Sequence, residues 1–183
     1  MDLAALIVSI IAALIAGVGT VLANRRSKEA LRESRKAVTA ALWSALQDAI
    51  QRLVAFDPTQ EPVGERLANL RIAAIALADE HTDWEGLDTW LEAERVMGAS
   101  IAREVMEVAK PTDSADQRVK NLELMITWTQ AFSQNVRFLR IKGYDKDALA
   151  KLGARARELT KEIHERNGWE LPPESNPRLQ PLD

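Results

Sequence analysis

The sequence predicts an all-α protein: a single N-terminal transmembrane helix that runs on into a long juxtamembrane helix, followed by an antiparallel helical bundle. Three observations predict it. Residues 3–23 hold no charged side chain. The apolar residues beyond them recur every three or four positions and never settle into strand-like alternation. Residues that cap or break helices fall between the apolar stripes. Together they divide the chain into an anchor at 1–24, a basic juxtamembrane and bundle helix at 25–56, a helical bundle at 57–168 and a Pro-rich extended tail at 169–183.

The run LAALIVSIIAALIAGVGTVLA at residues 3–23 would form a helix of roughly 31 Å, close to the hydrocarbon thickness of a bilayer. Eleven of these residues are Leu, Ile or Val, each contributing about −0.3 to −0.6 kcal/mol to insertion. A cleavable leader would have a basic start and a shorter apolar run, whereas only Asp2 precedes this one. Arg25, Arg26, Lys28, Arg32, Arg35 and Lys36 follow it closely. The positive-inside rule therefore places the N-terminus outside and the C-terminal domain in the cytoplasm, and the same basic block can attract anionic lipid. Ser9, Ala13 and Gly17 are four apart, the spacing of a close helix–helix contact in a membrane and so of a homo-oligomer, which the helix beyond could extend as a coiled coil.

No Pro or Gly lies between Thr20 and Asp57, so one helix is expected to continue to about Phe56, with Leu31, Val38, Leu42, Ala45, Ala49 and Leu53 as its stripe. Pro58 ends it by disfavouring a helical Asp57. A second helix is expected over residues 61–81, with Leu67, Leu70, Ala74 and Leu77 on one face. Thr82 and Glu85 fit a capping box for a third helix, which carries Leu87, Trp90, Met97, Ile101, Val105 and Val108 and stops before Pro111. Ser114 and Gln117 fit another box, opening a fourth helix with Val119, Leu122, Ile126, Phe132, Val136 and Leu139. Gly143 ends that helix in a left-handed turn and Asp145 caps the fifth, whose apolar residues are Leu149, Leu152, Ala156, Leu159 and Ile163. Asn167-Gly168 stops the fifth helix, and four prolines in the last fifteen residues read as an extended tail.

Function is harder to read. The net charge of −3 argues against nucleic acid as the main partner. Its distribution is uneven: +3 over residues 1–36, −7 over 37–110, +2 over 111–144 and −1 over 145–183. With no cysteine and two histidines, disulfides, thiolate metal sites and hydrolase triads lack parts. No phosphate-binding loop, dinucleotide fingerprint or nucleophile elbow occurs. His81 lies among Asp79, Glu80, Asp83 and Glu85, which reads as a solvated helix cap more readily than as a cation site. His164, between Glu162 and Glu165, reads as solvent-facing, and the charges of the fifth helix, Glu158 with Lys161 among them, as an ordinary solvated face. Trp169 either docks on the bundle, the favoured reading, or belongs to a partner motif.

No enzyme activity and no cofactor is expected. The expected function is a membrane-tethered cytoplasmic helical interaction protein: a scaffold, adaptor or accessory subunit of a membrane complex. Its partners would be membrane lipid and a protein, with Asp79, Glu80, Asp83, Glu85 and Trp169 as the candidate partner surface. The alternative is a membrane-associated sensor or effector whose bundle binds a small ligand or responds to envelope stress. A deep cavity with converging polar groups would favour the alternative, and exposed apolar patches would favour the interaction protein.

Overall fold

The computed structural model describes residues 3–54, 56–57 and 62–172, with side chains from residue 27 onward. The described residues form five helices and no strand: α1 (Leu3–Val54), α2 (Gly64–Glu80), α3 (Leu87–Val108), α4 (Ala115–Lys142) and α5 (Lys146–Asn167). Where side chains are described, no helix is long and apolar enough to cross a membrane. The run read as the span, residues 3–23, lies outside those side chains, as do Ser9, Ala13, Gly17, Arg25 and Arg26; residues 173–183 of the tail lie outside the described residues.

The chain divides into two compact units, residues 1–41 and residues 42–183. In the first, every described side chain is exposed except Thr39, which is partly covered and donates from Oγ1 to the carbonyl of Arg35 (3.0 Å). Lys28, Arg32, Arg35 and Lys36 are all exposed. Leu31 and Val38, expected on the buried stripe, are exposed too.

The second unit is a helical bundle built around α3, which packs against α2, α4 and α5. The last three turns of α1 contribute Trp43, Leu46, Ala49, Ile50 and Leu53 to its core. These spacings of three and four keep them on one face. Ala45, on the expected stripe, is exposed, so the buried face starts at Leu42 and is rotated from the expected one. In α2 the expected Leu70, Ala74 and Leu77 are buried, and α3 buries Leu87, Trp90, Met97, Ile101 and Val105. Val108 and Val119, at the ends of α3 and α4, are exposed rather than packed.

Local chemistry sets most helix ends. Ser114 Oγ accepts from the Gln117 amide (3.2 Å), but the Gln117 side chain donates to Asn121 Oδ1 (2.7 Å) rather than closing the box. Asp145 Oδ1 accepts from the Ala148 amide (3.0 Å), and with Lys142 donating to Oδ2 (2.5 Å) its carboxyl is held below the usual range. Gly143 does end α4 at positive φ, although its ψ of −167° is extended rather than left-handed helical. α5 ends in a Schellman motif at Gly168 (φ 67°, ψ 27°), with Trp169 N–H on the His164 carbonyl (2.9 Å) and Gly168 N–H on that of Glu165 (3.3 Å).

The expected box at Thr82 is not formed. Residues 81–86 make successive turns, Trp84 N–H to His81 O (2.9 Å) and Leu87 N–H to Trp84 O (3.0 Å). α3 begins after Gly86, whose φ of 90° suits a residue without Cβ. Glu85 instead pairs with Lys146 (2.6 Å), tying this turn to the start of α5.

Candidate functional site

Among the described residues, one carboxylate is buried. Glu94, on α3 and 4 % exposed, accepts from Trp90 Nε1 on Oε1 (3.0 Å) and from Trp128 Nε1 on Oε2 (2.8 Å). Burial raises its pKa above the ordinary 4.5, while the two indole donors act in the opposite sense. Each donor satisfies one carboxylate oxygen, so the group joins α3 to α4 through Trp128. Gly98, one turn on, lets the indole of Trp128 lie against the α3 backbone: a Cβ there would fall 2.3 Å from its Cη2 atom. Phe132 closes the cluster, edge-on to Trp90 (5.6 Å) and stacked on Trp128 (5.9 Å). Nothing local in the sequence marked Glu94, because its second donor is 34 residues away.

Between α3 and α5 lies an open groove of about 230 Å³. Trp90, Leu149 and Gly153 form its apolar wall, and Glu85, Lys146 and Arg157 carry its charges. The volume falls below the roughly 300–1,000 Å³ usual for small-molecule sites.

The residues read as a partner surface fall into two places. Asp79, Glu80, Asp83 and Glu85 are exposed around the end of α2 and the turn that follows. His81 does not join them in water. Its ring packs on Trp84 (4.5 Å) and Trp43 (5.7 Å), and Nε2 is buried with no hydrogen-bond partner among the described residues. No group of three or more His, Asp or Glu among the described residues could hold a metal.

Trp169 sits at the other place, on the bundle. The Arg103 guanidinium lies 3.9 Å from its ring centroid and His164 meets it edge-on at 5.5 Å. His164, expected in solvent, is buried. The Glu170 carbonyl (2.7 Å) can only accept, so Nδ1 carries the proton that it receives. Nε2 faces Ser100 Oγ at 2.9 Å. The Schellman turn directs this geometry by bringing residues 169 and 170 back over the last turn of α5. Arg166 and Asn167 then hold Glu104 of α3 (2.8 and 3.2 Å). On the solvated face of α5, Glu158 takes Arg155 (2.6 Å) and Lys161 takes Glu165 (3.6 Å), rather than pairing with each other.

Two helix faces turn apolar side chains outward. On α2, Ala68, Ile72 and Ile75 are exposed at helical spacing and lead to Asp79. On α4, Leu124, Phe138 and Ile141 are exposed. No family model matches the chain, and neither a curated protein nor a solved structure matches it.

Proposed function

We propose that this chain is a membrane-tethered helical interaction protein, a scaffold, adaptor or accessory subunit of a membrane complex, whose bundle works in the cytoplasm. The observation that carries the reading is that the 21 uncharged residues at 3–23, followed by six basic residues before Ala37, belong to the same helix, α1, as the core residues Trp43 to Leu53. Tethering raises the local concentration of the bundle for a partner in or near the membrane. The α2 face supports a protein contact: Ile72, 66 % exposed, and Ile75 adjoin the acids Asp79, Glu80 and Asp83, a combination suited to a basic amphipathic partner. The small size of the α3–α5 groove favours this reading over a ligand-binding sensor. Ser9, Ala13 and Gly17 would bring two copies together within the membrane.

The test is carbonate extraction of cell membranes, combined with in-cell crosslinking of the full chain and of a chain lacking residues 1–24. The full chain is expected in the pellet, with crosslinked partners that the shortened chain loses. Release of the full chain by carbonate overturns the anchor. Absence of any partner in both samples overturns the interaction role.

A further inference from the structure

The outward face of α4 carries charge opposite to that of the α2 face. From Leu124 to Tyr144 the chain has no acidic residue and three basic ones, Arg137, Arg140 and Lys142. At about 100° per residue, Phe138 and Ile141 point away from the buried row Met125, Thr129, Phe132 and Val136, with Arg137 on one flank and Lys142 on the other. Phe138 is 50 % and Ile141 82 % exposed, and Tyr144 follows, also exposed. Ion pairs in this region take Lys142 with Asp145 (2.5 Å) and Lys146 with Glu85 (2.6 Å), and leave Arg137 and Arg140 without an acidic partner among the described residues.

Apolar side chains between basic flanks suit a surface that is negative outside and apolar beneath, as an anionic bilayer is. We propose that this end of α4 docks on the surface of an anionic membrane. Phe138 and Ile141 enter the boundary between headgroups and acyl chains, Arg137 and Lys142 engage lipid phosphate and carboxylate groups, and Arg140, about 100° round the helix from Ile141, adds positive charge nearby. Arginine suits that role because its planar fork matches a phosphate with two parallel N–H donors. Tyr144 is not part of the contact: its ring packs on Trp84 (5.8 Å) and its hydroxyl donates to the Glu85 carbonyl (3.5 Å). The inference rests on the tethering reading, since a tether makes even a weak lipid contact count. It deepens that reading by giving the bundle a membrane side, while the acidic α2 face is repelled by the same lipids.

The chain has no native cysteine, so a fluorophore sensitive to polarity can be placed at Ile141→Cys alone. The full chain is reconstituted in vesicles of phosphatidylcholine, or of an equimolar mixture of phosphatidylcholine and phosphatidylserine, each with spin-labelled lipid as quencher. The label is expected to shift to the blue and be quenched only in the anionic vesicles, with reversal by salt. A label at Ile72→Cys is expected to respond in neither. In the double variant Arg137→Glu/Arg140→Glu the anionic response is expected to fall about tenfold or more, at roughly 1 kcal/mol per basic residue near the surface. An equal response in both lipids, or a response unaffected by the double variant, overturns the proposal. So does a response that grows with protein density in phosphatidylcholine alone, which would mark a protein contact. A circular-dichroism melt matching that of the parent excludes misfolding of the double variant, and Arg137→Gln/Arg140→Gln provides a milder second variant. Recovery of the chain with phosphatidylcholine vesicles after a carbonate wash reports the anchor separately, so failure of the anchor and failure of the α4 contact are distinguishable.

Discussion

Among the described residues Glu94 has no positive charge to offset its burial, only two indole N–H groups, and this makes stability depend on its protonation. Its folded pKa lies above the ordinary value, so between the two the folded chain holds a proton that the unfolded chain has released. The stability that the neutral group contributes is present below the ordinary pKa and is lost as pH rises through the folded one. Glu94→Gln cannot titrate, and its amide offers one acceptor to two donors, so one indole N–H loses its partner. The variant is expected to be less stable than the parent at acid pH, with the gap narrowing as pH rises above 4.5; urea unfolding across that range measures it. A gap constant with pH would mean that Glu94 does not titrate differently in the folded state. Gly98 is constrained by the same assembly, because the hydrogen bond to Glu94 keeps the Trp128 ring from yielding to an added methyl. Gly98→Ala is expected to cost about 1–3 kcal/mol as overpacking, read from the shift in urea midpoint. The sequence hid both residues for one reason. A glutamate at position 94 of an amphipathic helix looks like a surface charge until Trp128 is known to face it, and that pairing is a property of the tertiary fold.

Helix ends were more legible, because caps act within a few residues of their own position. Ser114, Asp145 and Gly168 each perform the expected role with a local amide or carbonyl. Thr82 failed as a cap because the six residues after α2 close on one another's carbonyls, so α3 begins after Gly86. Apolar periodicity located the helices but not always the buried face. α1 offers two overlapping stripes, and the choice of Trp43, Leu46 and Ile50 over Leu31, Val38 and Ala45 depends on where the bundle begins. The end of α5 supports a prediction at this scale. A Cβ at Gly168 would meet nothing within 4 Å, so the cost of Gly168→Ala is conformational, about 1–2 kcal/mol for a left-handed residue. The turn also delivers Trp169 to Arg103. The variant is therefore expected to lose blue-shifted tryptophan emission together with stability, whereas Trp169→Phe should change the emission while keeping the turn. An unchanged spectrum in Gly168→Ala would separate the docking of Trp169 from the Schellman motif.

At the scale of the whole molecule, the two units differ in what their side chains contribute to folding. The described side chains of residues 27–41 are exposed apart from the partly covered Thr39, whereas the core of the second unit begins with Leu42 and Trp43. Leu46, Ile50, Leu53 and Phe56 are almost wholly buried. At about 1.5–3 kcal/mol for each large apolar side chain, these four contribute roughly 6–12 kcal/mol, comparable with the ~5–15 kcal/mol that separates a domain of ordinary stability from its unfolded state. Two shortened chains test this. One that starts at Ala37 keeps every core residue and is expected to melt in a single cooperative transition within a few degrees of the full chain in detergent. One that starts at Asp57 lacks the α1 wall. It leaves the rings of His81 and Trp84, which pack on Trp43, and the Ser133 hydroxyl, which takes hydrogen bonds from Gln47 and Gln51, in a core open on one side. That chain is expected to lose its near-ultraviolet circular dichroism and to bind a hydrophobic dye. If instead it melts cooperatively, α2 to α5 fold without α1, and α1 acts as a tether whose last turns only lean on a finished domain.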